Sequence, residues 1–291
     1  MGEVSMSVDV LQEKIRKTKN PSLVQFEAFE SLVPDSIRDA EGSALNGYKR
    51  LSMEILQSLK GIVPGVRFGF GSFALWGETG VQLLLELLQK AKNLGFYVLL
   101  DVPELTSTMA AEHAAKLLAG YPCDGYVIPG YPGSDLLRPF QQLCAGGKSA
   151  FPLVRTANRS ASELQDLLSG GRLVHIAAAD IVNRHGQAYT GKCGYSHIGA
   201  VAAASSADSL RTLRTKYSQL FLLLDGYDYP NSNAKNCSYA FDRLGHGAAA
   251  CAGVSILGAW KDSPQDMDPV AAAVAAAERM KKNLTRYVTI L

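Results

Sequence analysis

Eight short apolar runs, each followed by a longer amphipathic stretch, constrain this chain more than any other feature. They are SLVQFEAF (22–29), GVRFGFG (65–71), FYVLLDV (96–102), GYVIPG (125–130), FPLVRT (151–156), HIGAVAAA (197–204), LFLLLDG (220–226) and AAACAGVSIL (248–257). Each is continuously apolar rather than alternating, as a strand buried on both faces must be. Helical spacing separates them. Residues 77–95 end in glycine after basic residues, and 107–120 open at a Ser/Thr cap and close in glycine. Residues 159–171 offer a Ser160–Glu163 capping box, and 206–218 and 269–288 complete the set. A further helix at 1–20 precedes the first strand as an added cap.

Repeated strand-then-helix units require a parallel sheet. Eight of them in 291 residues favour a closed (β/α)8 TIM barrel over the whole chain, a single domain in the α/β class. A doubly wound open sheet is the competing arrangement. It loses its main support because no G-x-G-x-x-G follows a strand and no G-x-x-x-x-G-K-[ST] occurs.

A hydrophobic content of 47% supplies ample core, and a net charge of +2 gives no field that argues for nucleic acid or an anionic membrane. The five cysteines are dispersed, without a C-x-x-C pair, which points to buried thiols rather than a metal site or disulfides. His113, His175, His185, His197 and His246 show no metal-ligand spacing, and Trp76 and Trp260 suit packing better than stacking. No metal and no cofactor is expected. The first residues lack the apolar stretch of a secretory signal, and Met6 stands where myristoylation of Gly2 would want Ser or Thr. No apolar run reaches the ~20 residues that span a bilayer. The expected location is cytoplasmic.

Chemistry in such a barrel sits at the carboxyl ends of its strands. Those ends carry Glu27 and Glu30, then Arg67, then Asp101 and Glu104. After them come Tyr131 and Asp135, Arg155 with Asn158, the Ala/Ser run 202–206, Asp225 with Tyr227 and Asp228, and Ser255. The plain alternative is that these groups solvate the mouth and pair with one another.

Longer segments resemble orotidine 5′-phosphate decarboxylase, in its longer-chain bacterial subgroup. They are LQEKIRKTKNPSLV (11–24), LVPDSI (32–37), IPGYPGSDLLRPFQQ (128–142), FPLVRTANRSASELQDL (151–167), 194–228 and GHGAAACAGVSILGAWK (245–261). The resemblance implies a TIM barrel that removes CO2 from orotidine monophosphate. A lysine in the pattern Asp-x-Lys-x-x-Asp would stabilise the ring carbanion and protonate it. The second acid would reach a neighbouring subunit, and a Gln and an Arg after strands seven and eight would grip the phosphate.

Carried over residue by residue, much of that array is missing. Asp101 matches the first acid, but the lysine position is Pro103, the second acid is Thr106, and the glycine before it is Leu105. Arg67 stands for the strand-two lysine, Glu27 for the strand-one acid, and Ala28 for the proline after it. Ala157 stands for a strand-five serine, Pro230 for the phosphate Gln, and Val254 for the phosphate Arg. Residues 93 to 115 contain no lysine.

The remnant catalytic positions are therefore Asp101, Glu27, Arg67 and Glu104. The candidate substrate-binding residues are Arg155, Asn158, Asp225 and Tyr227. Three functions stay open. The first is a non-catalytic homologue linked to pyrimidine nucleotide metabolism. It would bind a small anionic or nucleotide-like ligand, and pair with itself or with an active family member. The second is a different enzyme on the same barrel, with Glu27, Arg67, Asp101, Glu104 and Asp225 forming a new acid–base site or a metal site suited to Mg2+ or Ca2+. The third is an orotidine 5′-phosphate decarboxylase with an atypical site, needing Glu104 or a lysine from another loop, such as Lys235, to replace the array.

Overall fold

The computed structural model describes residues 7–264 and 267–291; the Gly2 and Met6 positions weighed for myristoylation lie outside them. Eight parallel strands form the centre: β1 Ser22–Phe26, β2 Gly65–Gly69, β3 Tyr97–Asp101, β4 Gly125–Ile128, β5 Ser149–Pro152, β6 Ala200–Ala203, β7 Leu222–Asp225 and β8 Ala248–Ala252. They pair in the order β5-β4-β3-β2-β1-β8-β7-β6. The remaining seam, between β5 and β6, is closed by parallel bridges Ala150–Ile198 and Leu153–Val201. The Ala150 amide donates to the His197 carbonyl at 2.9 Å there, and the Val154 amide to the Val201 carbonyl at 3.0 Å. The chain is thus a (β/α)8 barrel, as the alternating pattern requires.

The N-terminal helix runs Ser7–Thr18 and buries Val8, Leu11 and Ile15. It lies against the end where strands begin. Ser7 Oγ is 2.7 Å from the hydroxyl of Tyr97, the first residue of β3. That hydroxyl is 2.7 Å from Oγ of Ser149, the first residue of β5. The helix therefore stoppers one end and leaves the carboxyl ends of the strands as the open mouth.

The Val8 amide donates to Nδ1 of His197 at 3.0 Å, which requires that nitrogen to be unprotonated. Burial pushes the His197 pKa below its usual 6.5, with Asp9 opposing. Below pH 6.5 the unfolded chain gains a proton that the folded chain still excludes, so stability falls with pH. Urea denaturation as a function of pH is expected to show this acid-side loss, and His197→Asn to flatten it. An unchanged slope in the variant would contradict the clamp.

Strand centres coincide with the apolar runs, while the ends differ. The run 248–257 stops being a strand at Ala252, and Val254–Leu257 turns into a short helix. The helix expected over 159–171 does not form. Ser160 Oγ accepts from Asn158 Nδ2 at 2.8 Å instead of capping, and only one helical turn, Ser162–Gln165, follows. The chain then makes a hairpin, Leu168–Ser169 against Arg172–Leu173, turned at Gly170 and Gly171, both with positive φ. Paired glycines suit such a turn because they accept left-handed backbone without strain. Three of the longer helices were not anticipated: Ala44–Leu59, Ser134–Ala145 and Val174–Gly186. Pro139 lies inside the second and obscures its helical signal.

Candidate functional site

Arg67, the middle residue of β2, sends its guanidinium across the barrel bore. It is 3% exposed. Nη2 lies 2.5 Å from Asp101 Oδ2 and Nε donates to Oδ1 at 2.7 Å, a two-pronged pair. Nη1 donates to Asp225 Oδ1 at 3.0 Å. Asp101 ends β3 and Asp225 ends β7, so one cation ties together opposite walls of the barrel.

Burial pushes the Asp101 carboxyl up to about 6; Arg67 pulls it down, and the Asp225 and Glu27 charges push it further up. It is ionised and paired at neutral pH. Burial works against the charge on Arg67, but Asp101 and then Asp225 hold its pKa well above the ordinary value.

Two more acids stand over glycines. Glu27 follows β1, accepts from Gln25 Nε2 at 2.5 Å, and lies so close to Gly69 that any side chain there would strike its carboxylate. Glu104 overhangs Gly71 in the same manner. Asp228, in the turn after β7, accepts from the Gly253 amide at 2.7 Å and from the Ser255 hydroxyl. Two of the donors that follow β8 are thus occupied by one of the chain's own carboxylates.

Above this floor opens a pocket of about 560 Å3. Glu27, Glu104, Asp225 and Asp228 line it, together with Phe29, Leu75, Tyr229 and Val254. No Lys, Arg or His lines it among the described residues. Pro103 and Thr106 belong to the turn after β3, where the Thr106 amide donates to the Glu104 carbonyl at 2.9 Å. Lys235 is exposed on the helix Ala234–Ser238 and does not line the pocket. Among the described residues no three His, Cys, Asp or Glu side chains are grouped to hold a metal ion.

The structure gathers Glu27, Arg67, Asp101, Glu104 and Asp225 at one mouth, but three of the expected binding residues are engaged elsewhere. Arg155 donates to Gln165 Oε1 at 3.2 Å and to Asp166 Oδ2 at 2.9 Å, pinning the turn Ser162–Gln165 to the barrel. Asn158 is exposed and tied to Ser160. Tyr227 directs its hydroxyl to Asn283 on the last helix, Pro269–Thr285. Asp135 pairs with Arg138 at the surface, and Tyr131 donates to the Val154 carbonyl at 2.6 Å. Glu30 faces a separate groove of about 900 Å3 beside Trp260. Both tryptophans anchor the segment after β1: Trp76 donates to the Ala28 carbonyl at 2.7 Å and Trp260 to the Leu32 carbonyl at 3.1 Å.

Sequence reasoning had no specific role for Gln25 or for the apolar rim of Phe29, Leu75 and Tyr229. Period-two alternation places Gln25 in register with Arg67 and so on the bore side, which is the signal that identifies it.

Known proteins share this arrangement of strands, and others share about a quarter of its sequence over most of its length. Over 252 residues the chain is 27% identical to the orotidine 5′-phosphate decarboxylase of Rhodopirellula baltica, covering 82% of this chain and 83% of the relative. Over 274 residues it is 26% identical to that of Caldicellulosiruptor saccharolyticus, covering 87% and 90%. The chain is a relative of the orotidine 5′-phosphate decarboxylases. Among solved structures it matches the Leishmania donovani OMP decarboxylase with a TM-score of 0.71 at 19% identity, covering 96% of this chain and 98% of that one. It matches the Plasmodium berghei orotidine 5′-monophosphate decarboxylase with a TM-score of 0.73 at 13% identity. At such identities the structural likeness establishes the shared barrel. No protein-family model matches the chain. No helix among the described residues is long and apolar enough to cross a membrane.

Proposed function

We propose that this relative of the orotidine 5′-phosphate decarboxylases does not decarboxylate orotidine monophosphate at a useful rate, and that it acts as a non-catalytic, binding member of the family. The observation that carries this reading is that no Lys, Arg or His lines the mouth pocket among the described residues. Pro103 stands two residues after Asp101, no lysine lines the pocket among the described residues, and Arg67 already has both of its carboxylate partners.

Loss of CO2 leaves an electron pair on the pyrimidine ring. An efficient catalyst of so slow a reaction must remove an amount of barrier near the top of the ~8–23 kcal/mol range. The main sources are preorganised positive charge at the carbanion and a general acid that protonates it, the acid alone being worth ~10²–10⁴ in rate. Proline supplies neither. The substrate adds its own difficulty, because it carries a ring carboxylate and a phosphate into a pocket lined by four carboxylates. At ~4 Å and an effective dielectric of ~20, each like-charge approach costs about 4 kcal/mol. The Gly253 amide and the Ser255 hydroxyl, two donors beside Val254, are held by Asp228 and do not offset that cost. This acidic lining also argues against the anionic or nucleotide-like ligand that family resemblance alone suggests.

The dimer typical of the family is part of the same proposal, as is a cytoplasmic location. The test is genetic. A bacterial strain lacking orotidine 5′-phosphate decarboxylase requires a supplied pyrimidine for growth. Expression of this chain is expected to leave that requirement in place, whereas an active relative removes it. Growth without pyrimidine would overturn the proposal.

A further inference from the structure

The end of the barrel opposite the mouth carries a feature of its own, independent of what the mouth binds. There the N-terminal helix, Ser7–Thr18, meets the barrel through its first turn. A helix leaves its first amides without intrahelical acceptors. The Val8 amide finds one in Nδ1 of His197 at 3.0 Å, and the imidazole is fully buried. The seam around it is incompletely satisfied. Nε2 of His197 and Nε2 of Gln12, on the same helix, are buried and have no hydrogen-bond partner among the described residues. Nor can the ring turn aside. Gly191 packs so closely that any side chain there would strike both His197 Nε2 and the Asp9 carboxylate.

The groups facing the ring leave it as the one that titrates in mild acid. On the helix, Asp9 accepts from the Cys193 amide at 2.8 Å and the Lys192 amide at 3.2 Å. Burial pushes the Asp9 carboxyl up, but the Cys193 and Lys192 hydrogen bonds outweigh it and hold the pKa below 3.8. The Cys193 thiol lies beside Asp9, and Cys144 Sγ, on the helix Ser134–Ala145, donates to the His197 carbonyl at 3.9 Å. Burial pushes both thiols up to about 12, so they stay neutral. Asp124, whose carbonyl accepts from Ser7 Oγ at 2.7 Å, is paired with Lys92.

We propose that the N-terminal helix is a proton-released stopper: a proton on His197 turns the acceptor of the Val8 amide into a donor, and the helix lets go of the barrel while the barrel stays folded. An imidazolium is a donor at both nitrogens, so Nδ1–H would face the Val8 N–H. It would also place positive charge at the positive end of the helix dipole. Asp9 opposes that charge, but its oxygens are already shared with two amides. Release carries the ring into water and uncovers Val8, Leu11 and Ile15. Burial holds the His197 pKa below 6.5 in the closed state, and the freed ring returns to that value. The closed state is therefore favoured above pH 6.5 and loses ground as pH falls below it, by up to ~tenfold per pH unit for one proton.

Amide hydrogen exchange of the full chain, referenced to the intrinsic exchange rate at each pH, tests this segment by segment. Between about pH 7.5 and 5.5, protection over residues 7–18 is expected to fall about tenfold, while the strands Tyr97–Asp101 and Ala248–Ala252 keep theirs. His197→Asn retains an acceptor for the Val8 amide but cannot gain a proton, and is expected to remove the fall. His113→Asn, at an exposed histidine on the helix Thr108–Leu118, is expected to keep it. Equal protection of residues 7–18 at both pH values would overturn the proposal. So would strands that lose protection in step with the helix, or a fall that persists in His197→Asn. Should His197→Asn fail to fold, the comparison of helix with strands in the unaltered chain decides alone.

Discussion

Replacing Arg67 by methionine is expected to destabilise the barrel by about 3–5 kcal/mol near neutral pH, the usual cost of removing one partner from a buried ion pair. The side chain is 3% exposed and bridges β2 to the ends of β3 and β7. Methionine fills much of the volume but leaves Asp101, 5% exposed, without its counter-ion. The Asp101 carboxyl already stands up at about 6 because of burial, with Arg67 holding it down. Without Arg67 it rises further. A carboxyl whose folded pKa lies above its unfolded value of 3.8 adds stability below that value, and loses it as pH rises through the folded pKa. The variant's deficit is therefore larger at alkaline than at acidic pH. Urea denaturation at both ends of this range checks the sign and the size. A variant as stable as the wild type at neutral pH would mean that the Arg67 cluster does not hold the mouth together.

The second large effect is a failure to recover activity. Adding back the missing charges in a Pro103→Lys/Thr106→Asp variant is expected to leave turnover of orotidine monophosphate more than ~10²-fold below that of an active relative. A lysine at 103 would meet an Asp101 already committed to Arg67. It would sit in a turn where Leu105 stands at the position that the family resemblance gives to glycine. The phosphate would still lack its side-chain grip, because neither Val254 nor Pro230 has a side-chain donor and Asp228 holds the Gly253 amide and the Ser255 hydroxyl. Activity near that of the relative in this double variant would place the whole defect at two positions and contradict the distributed loss described here.

How far the chain could be read in advance depended on which interactions decide each part. Strands buried on both faces announce themselves as continuous apolar runs, so all eight barrel strands were legible, though their ends were not. Residues 159–173 misled because a capping box is a local preference. Here Arg155, Gln165 and Asp166 form a tertiary knot that pulls the chain into a single turn and a hairpin. Asp101 and Asp225 were legible as charged groups at strand ends, whereas Arg67, expected at an end as well, lies in the middle of β2. Their mutual pairing stood only as one alternative, since it depends on β3 and β7 facing each other across the bore. Tyr227 failed for a related reason: beyond a strand end the backbone no longer alternates, and its ring turns outward to Asn283. Asp228 could be named as a mouth residue, but its return onto Gly253 is a loop-to-loop contact with no signature in residue order.

The most direct measurement is decarboxylation of orotidine monophosphate by the purified chain, followed as loss of substrate absorbance beside an active relative under the same conditions. The occupied Arg67, the proline at 103 and the carboxylate-lined pocket predict no turnover above the buffer blank. Turnover approaching that of the relative would contradict the central claim, and would mean that a cationic group outside the described lining reaches the reacting carbon.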